Sequence, residues 1–510
     1  MYLQALLTLA VGFANAVDIR LPGHRVDRHG TSLDRRATQP SYEIHTFDQL
    51  IDHFPNSSRY TPNLPGQTFK QQYVFDSSYY KPGGPVFLYI GGETSVQSRF
   101  SNLATGIIQI LMEATNGLGV ILENRYYGES FPFNSSSTDE LRFLTTEQTI
   151  ADNAYFAQHA TFPPVNATLT SDKTPWILYD PYQKFAPQDC IGSLNAIVDK
   201  IDYVFEHGNA SQINHMKSLF GLEALKDNRD FARTIAFPLG GPVFYPTNTW
   251  QELNWYPNYS SNDIWYFCHN ITNADTPHNV TQLDHALASY TNGEAWTNLG
   301  NYASYIKNYI VPMCPDPSLI DTTTTGCFST QNQSYWADTT NNNNRAYIYS
   351  SCTEAGIYQV ARATGPTLLS RVVKLDYTQQ WCNWAYPPGE HNSIPSTPDL
   401  NRINKYGGYS VTADRLAHID GGQDVWLDLC YHSTYAPKRT TRSAKDAYLH
   451  PEMLITGGGH HWDSYGIKDV DAEPQFIREA HLWEIRIVKK WLQMWDEKKG
   501  RRNGTERMEL

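Results

Sequence analysis

The sequence predicts an α/β fold, a doubly wound and mostly parallel sheet with a large helical cap inserted between its two halves. Three observations predict it. From about residue 42, short continuous apolar runs alternate with helical patterns, as βαβ units do. Between residues 188 and 375 that alternation stops, and helical stretches give way to segments rich in Asn, Thr and Tyr. Strand-like sequence then returns at Arg415–Ile419 and Glu452–Ile455, ahead of a closing amphipathic helix.

Met1–Ala16 reads as a secretory signal peptide. Leu3, Ala5 to Leu7, Leu9 to Val11 and Phe13 form a short apolar core, and Ala14-Asn15-Ala16 is a small-x-small cleavage site. No later run reaches the roughly 20 apolar residues that a membrane-crossing helix needs, so no membrane partner is expected. Residues 17–41, with the basic pair Arg35-Arg36, form a pro-segment or a mobile arm. The first part of the sheet domain spans 42–187, the cap 188–375 and the second part 376–497, and residues 498–510 form a polar tail.

Within the first part, Gly84-Pro85-Val86-Phe87-Leu88-Tyr89-Ile90 is a buried strand running into Gly91-Gly92. Ile107 to Met112 forms a helix, and Leu118–Leu122 is a second buried strand. Thr145–Ala160 reads as a helix with Thr145 or Thr146 as its N-cap, and Trp176–Tyr179 as a third strand. In the cap, Ile191–Glu206 and Ile213–Phe220 are helical, while the polar runs Thr322–Thr325 and Asn341–Asn344 belong on exposed loops. The closing helix, about Pro474–Trp495, places Phe476, Ile477, Ala480, Trp483, Ile487, Val488, Trp491 and Trp495 on one core-facing stripe.

The 510 residues carry a net charge of −12 with scattered Lys and Arg, which argues against a nucleic-acid partner. Acceptors of the form Asn-x-Ser/Thr stand at Asn56, Asn134, Asn166, Asn209, Asn258, Asn270, Asn279, Asn332 and Asn503, a density that fits a secreted protein bearing N-linked glycans. Cys190, Cys268, Cys314, Cys327, Cys352, Cys382 and Cys430 can form disulfides after export. Their pairing is open, and their odd number leaves one over.

Two loops at strand ends carry acid–base residues. Asp420-Gly421-Gly422-Gln423-Asp424-Val425-Trp426 places Asp424 beyond a short apolar strand, and Gly457-Gly458-Gly459-His460-His461-Trp462-Asp463 places a histidine beyond the next. A carboxylate that orients an imidazole, which in turn takes up and returns a proton, is two-thirds of a catalytic triad. In an α/β-hydrolase the chain order is Ser, Asp, His, and the serine rides a Gly-x-Ser-x-Gly turn after a buried strand. Here the strand Trp176–Tyr179 runs instead into Asp180-Pro181-Tyr182-Gln183-Lys184.

A set of segments resembles the serine peptidases of the lysosomal Pro-X carboxypeptidase, dipeptidyl-peptidase II and fungal acid prolyl endopeptidase family. They are Gln49–Phe54, Thr68–Tyr73, Gly84–Tyr89, Glu123–Ser130, Leu141–Thr145, Cys352-Thr353-Glu354, the Asp424 loop and the His460 loop. The resemblance runs from about residue 42 to the closing helix. It implies an α/β-hydrolase domain with an inserted helical cap, and cleavage of peptides next to proline, often at acidic pH, without metal or cofactor. It also implies a secreted protein, or one of the vacuolar or lysosomal lumen. Carried over residue by residue, Asp424 orients and stabilises the histidine, and His460, the first histidine of the Gly-x-His pattern, is base and then acid. Gly91 and Gly92 lie where an early loop supplies an oxyanion-hole N–H, and Glu93 and Glu354 are substrate-pocket candidates. Val425 stands where the family usually has proline, and Tyr347-Ile348-Tyr349-Ser350 departs from the family pattern.

The serine of that family is absent. It would follow Trp-Ile-Leu-Tyr on a Gly-Gly-Ser-Tyr-x-Gly turn, with a helix and a strand behind it, roughly 40–50 residues in all. Asp180 cannot stand in, because Pro181 has no backbone N–H to offer an oxyanion and Leu178 and Tyr182 are too bulky for the turn. Ser193 lacks the second glycine and sits in a helical pattern. The chain as written is therefore expected to be an inactive form of a serine peptidase, lacking one in-frame segment. The rival expectation is a non-catalytic homologue, a secreted binding glycoprotein. An esterase or lipase on the same fold is disfavoured by the breadth of the match.

Overall fold

A computed structural model describes residues 40–163, 165, 176–178, 188–240, 263–275, 297–314, 316–321, 327–358, 360–361, 363–365, 367–424, 426–437 and 446–506. The expected signal peptide, most of the 17–41 arm, the Asp180–Lys184 junction, Thr322–Thr325 and the acceptors Asn166, Asn258 and Asn279 lie outside the described residues. The strands are β1 (His45–Leu50), β2 (Thr68–Asp76), β3 (Val86–Ile90), β4 (Leu118–Leu122), β5 (Trp176–Leu178), β6 (His418–Gly421) and β7 (Glu452–Ile455). The principal helices are α1 (Phe100–Ala104), α2 (Ile107–Thr115), α3 (Thr146–His159), α4 (Gln188–His207), α5 (Ala210–Leu219), α6 (Asn228–Ile235), α7 (Asp263–Thr272), α8 (Thr297–Tyr305), α9 (Asn343–Ser350), α10 (Leu375–Ala385) and α11 (Gln475–Glu506).

Among the described residues the strands form two sheets, one in the order β1-β2-β4-β3-β5 and the other β6-β7. The pairs β3–β4, β3–β5 and β6–β7 are parallel, while β1–β2 and β2–β4 are antiparallel. Three of these five pairings are parallel, so the parallel character expected from sequence holds, while the strands stand in two sheets rather than one and the first carries an antiparallel edge. Between β1 and β2 residues 51–67 hold a single 3-10 turn (Ser58–Tyr60) and no crossover helix, and the chain returns antiparallel. The strand β2 also alternates in burial, with Lys70 exposed and Gln71 buried, so it lacks the continuous apolar run that marks β3 and β4.

Strand alternation sends successive side chains to opposite faces, and both faces are covered. Val74, Phe87, Tyr89 and Ile121 pack against Phe100 and Leu103 of α1, Ile107, Ile108, Leu111 and Met112 of α2, and Val488 of α11. Val86, Leu88, Val120 and Leu122 pack on the other side against Phe156 of α3, Ala160 and Phe162. Thr145 is the N-cap of α3, its hydroxyl accepting the Gln148 N–H at 3.2 Å and meeting the Tyr60 hydroxyl at 3.0 Å. Replacing it, Thr145→Ala, is expected to cost about 1–2 kcal/mol in urea unfolding, whereas Thr146→Ala stays within about 0.5 kcal/mol.

The helical block from α4 onward has an apolar core of its own, with Leu194, Ile197, Phe220, Phe231, Phe267, Tyr302, Ile306 and Phe328 among its members. Disulfides Cys190–Cys268 and Cys314–Cys327 lie in this block, and Cys352–Cys382 joins the turn after α9 to α10. Cys430 is outside these bonds, its thiol donating to the Trp426 carbonyl at 3.3 Å. The Asn341–Asn344 run is not a plain exposed loop. Asn342 caps α9 through the Arg345 N–H, Asn341 donates to the Phe133 carbonyl at 2.7 Å, and Asn343 accepts the Gly128 N–H at 2.9 Å. Asparagine amides do here what a loop assignment by polarity alone misses. The closing helix α11 also runs past the expected Trp495 to Glu506. Among the described residues no helix is long and apolar enough to cross a membrane.

Candidate active site

Strands β6 and β7 pair in register from His418 with Glu452 to Gly421 with Ile455, so their C-terminal ends release two loops side by side. The ladder continues into those loops. The Gly422 N–H donates to the Ile455 carbonyl at 2.7 Å, and the Gln423 N–H to the Gly458 carbonyl at 2.7 Å. A Cβ on Gly421 would stand 2.6 Å from the Gly458 oxygen and 2.7 Å from that of Gly459, so this close approach admits only glycine.

That approach delivers Asp424 to His460. Asp424 Oδ2 lies 3.1 Å from His460 Nδ1, and Oδ1 accepts the Trp426 N–H at 3.3 Å. Asp424 is fully buried and His460 is 7 % exposed. A buried carboxylate on Nδ1 fixes the ring orientation and leaves Nε2 as the nitrogen for proton transfer. His461 has a different role. It takes a left-handed backbone conformation (φ 37°) and stacks on Tyr465 with ring centroids 5.1 Å apart. Burial, and then the nearness of His460 and Arg99, hold it well below the usual histidine range. It is a neutral packing residue beside the paired one.

The loop after β3 holds the other candidates. The Gly91 N–H donates to the Leu122 carbonyl at 2.8 Å as the last rung of the β3–β4 ladder, which removes it from the oxyanion donors named from sequence. Gly92 follows at φ 75°, a conformation that a residue with a Cβ rarely adopts. Arg99, buried at 5 % exposure, donates from Nε to the Gly91 carbonyl at 3.0 Å. Because the peptide is planar and trans, anchoring that carbonyl also fixes the direction of the Gly92 N–H. Glu93 is buried at the same turn, and its charge acts on Tyr127, whose hydroxyl burial first pushes far up. Glu354 is engaged elsewhere. It pairs with Arg59 and accepts the Thr146 N–H at 3.0 Å, at the start of α3 where a carboxylate is favoured.

Ser193 lies in α4 with its hydroxyl on Asn298 Nδ2 at 2.9 Å. The acceptors Asn56, Asn134, Asn209 and Asn332 are exposed and Asn270 is half-buried, while Asn503 lies in α11. Asn209 and Asn332 cap helices through their side-chain oxygens, which leaves the amide nitrogens open to a glycan. Arg99 carried no sequence signal, since a single arginine among polar residues has none. Glu123 stands in a quoted motif, but only the fold shows it as a buried hub accepting the Val96 N–H at 2.7 Å, the Glu129 N–H at 2.9 Å and the Ser130 hydroxyl at 2.7 Å.

Comparison with known proteins bears on this constellation. The chain matches the family described as serine carboxypeptidase S28 over residues 49–183 and 180–478. It is 33% identical over 513 aligned residues to a probable extracellular serine carboxypeptidase of Arthroderma benhamiae, covering 89% of this chain and 68% of that protein. It is 26% identical over 499 residues to Serine protease vicPa of Bipolaris victoriae, with 88% of each chain covered. A shorter match, 36% over 152 residues, links it to the lysosomal Pro-X carboxypeptidase of Bos taurus, covering 29% of this chain and 28% of that one.

Proposed function

The chain belongs to the serine carboxypeptidase S28 family, and from that membership we propose that it derives from a secreted serine peptidase that cleaves peptides next to proline and that, as written, lacks its nucleophile segment. The buried Asp424–His460 pair on adjacent strand-end loops carries this reading. In the intact enzyme Asp424 orients the imidazole, His460 takes the serine proton and returns it to the leaving amine, and the Gly92 N–H is one oxyanion donor. On this reading the cap, residues 188–375, covers the site, and Glu93, buried in the loop after β3, is a candidate to line the peptide pocket. Proline preference rests on the partial match to Pro-X carboxypeptidase. Export is supported by three disulfides, the exposed glycan acceptors and an extracellular relative.

Two observations support the missing segment. The family match falls into two runs that meet at residues 180–183, where the strand leading to the serine should turn into it. Among the described residues, β5 and β6 also stand in separate sheets, each at an edge of its own. A turn, helix and strand inserted after Tyr179 would supply both the serine and a strand to join those edges.

Sequencing the transcript across codons 160 to 200, with fluorophosphonate labelling of the secreted product, tests the proposal. The expected transcript carries an in-frame stretch encoding Gly-x-Ser-x-Gly after Tyr179, and its product labels. If the only transcript joins Tyr179 directly to Asp180 and its product does not label, the enzyme reading fails and the chain is a binding glycoprotein.

A further inference from the structure

The apolar stripe of α11 is crossed by two polar side chains that the sequence pattern passes over. His481 and Glu484 sit among Ile477, Ala480, Ile487 and Val488, at 0 and 5 % exposure. Next to them lies a second buried carboxyl, Asp463, three residues beyond His460 and 1 % exposed. Glu473 completes the cluster, accepting the Ile467 N–H on Oε1 at 3.0 Å and meeting His481 Nδ1 with Oε2 at 2.7 Å.

Hydrogen-bond partners count the protons here. His481 Nε2 lies 2.9 Å from the Asp463 backbone carbonyl, which can only accept, so Nε2 carries hydrogen. The 2.7 Å contact to Glu473 holds one more. Whichever atom bears that proton, His481 and Glu473 together are electrically neutral, and nothing in the pair offsets a charge on Asp463 or Glu484. All four carboxyl oxygens of those two residues are buried, and among the described residues no other residue donates a hydrogen bond to them; the Asp463 backbone N–H alone favours its own carboxylate.

No charged group around the cluster donates a hydrogen bond to either carboxyl. His461 is held well below the usual histidine range, and Arg99 is anchored through Nε on the Gly91 carbonyl, while its Nη2 is buried without a hydrogen-bond partner among the described residues. Glu113 of α2 is bonded by Gln109, and Arg478 of α11 donates to the Asp471 carbonyl. Among the described residues no set of three or more His, Cys, Asp or Glu is placed to hold a metal ion.

We propose that Asp463 and Glu484 are held protonated in the folded protein, so that the packing of the His460 loop onto α11 is an acid-stabilised clasp that weakens as pH rises. A buried carboxylate pair without a counter-ion is costly, and protonation removes that cost. The direction agrees with the surroundings. Burial pushes both carboxyls well above the usual range, and a negative charge placed on Asp463 or Glu473 pushes Glu484 further in the same direction. The unfolded chain releases these protons near pH 4, whereas the folded chain keeps them. The stabilisation is therefore complete below about pH 4, and each retained proton lowers the folded-to-unfolded ratio about tenfold per pH unit above it, until the folded carboxyls ionise. The clasp stands independently of the peptidase reading.

The test is unfolding of the full chain between about pH 4.5 and 8, comparing the parent with Glu484→Gln, Asp463→Asn and the exposed control Glu479→Gln. The amides stay neutral at every pH. Glu484→Gln is expected to match the parent near pH 4.5 and to gain stability over it about tenfold per pH unit above pH 5, while Glu479→Gln shows no such trend. A difference between Glu484→Gln and the parent that is constant with pH overturns the proposal. Should either amide variant fail to fold, infrared spectroscopy of the parent decides. A protonated-carboxyl carbonyl band at about pH 7 that disappears on unfolding in urea supports the clasp, and its absence from the folded protein overturns it.

Discussion

A product carrying the Gly-x-Ser-x-Gly segment after Tyr179 is expected to hydrolyse proline-containing peptides on the order of 10⁶ faster than the 510-residue chain. The difference is that large because the acid–base pair cannot act alone. Asp424 and His460 are brought together at 3.1 Å, but an imidazole with no hydroxyl to deprotonate forms no acyl-enzyme. In the segment-containing product, His460→Ala is expected to lose about as much as removal of the serine, since the two act as a unit. Asp424→Asn should lose about 10⁴, through the wrong imidazole tautomer. In the 510-residue chain the same substitutions change nothing measurable. Peptide assays on the six proteins, with fluorophosphonate as a burst titrant, distinguish these outcomes. A fluorophosphonate-sensitive activity in the 510-residue chain that matches the longer product would sink the reading.

Arg125→Met is expected to destabilise the fold by about 3–5 kcal/mol, enough to abolish most soluble protein. Arg125 is fully buried. Its Nε and Nη2 bind both oxygens of Asp152 at 2.6 Å, Nη1 donates to the Ile51 and Phe143 carbonyls, and Nη2 also reaches the Leu50 carbonyl. His53 Nε2 lies 2.8 Å from Asp152 Oδ1. One guanidinium thus ties the end of β1, the turn before α3 and α3 itself. Its removal leaves a carboxylate and three carbonyls buried without their donor. Asp152→Asn should cost less, because the amide keeps one acceptor. The double change Arg125→Met with Asp152→Leu should recover part of the loss, since it removes both buried charges. Urea unfolding measures all three, and a loss under about 1 kcal/mol for Arg125→Met would show that the pair is dispensable.

Legibility followed the period of the pattern. Buried parallel strands read as unbroken apolar runs, so β3 and β4 stand in the sequence where they stand in the fold. The strands β1 and β2 do not announce themselves, because half of each is polar and their pairing depends on each other. The Asn341–Asn344 run was misleading for a related reason. Two of its amides, those of Asn341 and Asn343, are bonded by residues about 200 positions away, at Phe133, Ser136 and Gly128.

The sequence by itself determined the alternation of elements, the start of α3 to within one residue, the order of acid and base along the chain, and the break after Tyr179. Each of these is local, written within one turn or one strand. Only the tertiary structure decided that Asp424 comes within 3.1 Å of His460, that Gly91 is held in the ladder while Gly92 is not, how six cysteines pair, and that His481 and Glu484 lie inside. Those outcomes depend on distances between segments tens to hundreds of residues apart. Burial in that assembled context, more than residue type, sets what each polar group can do.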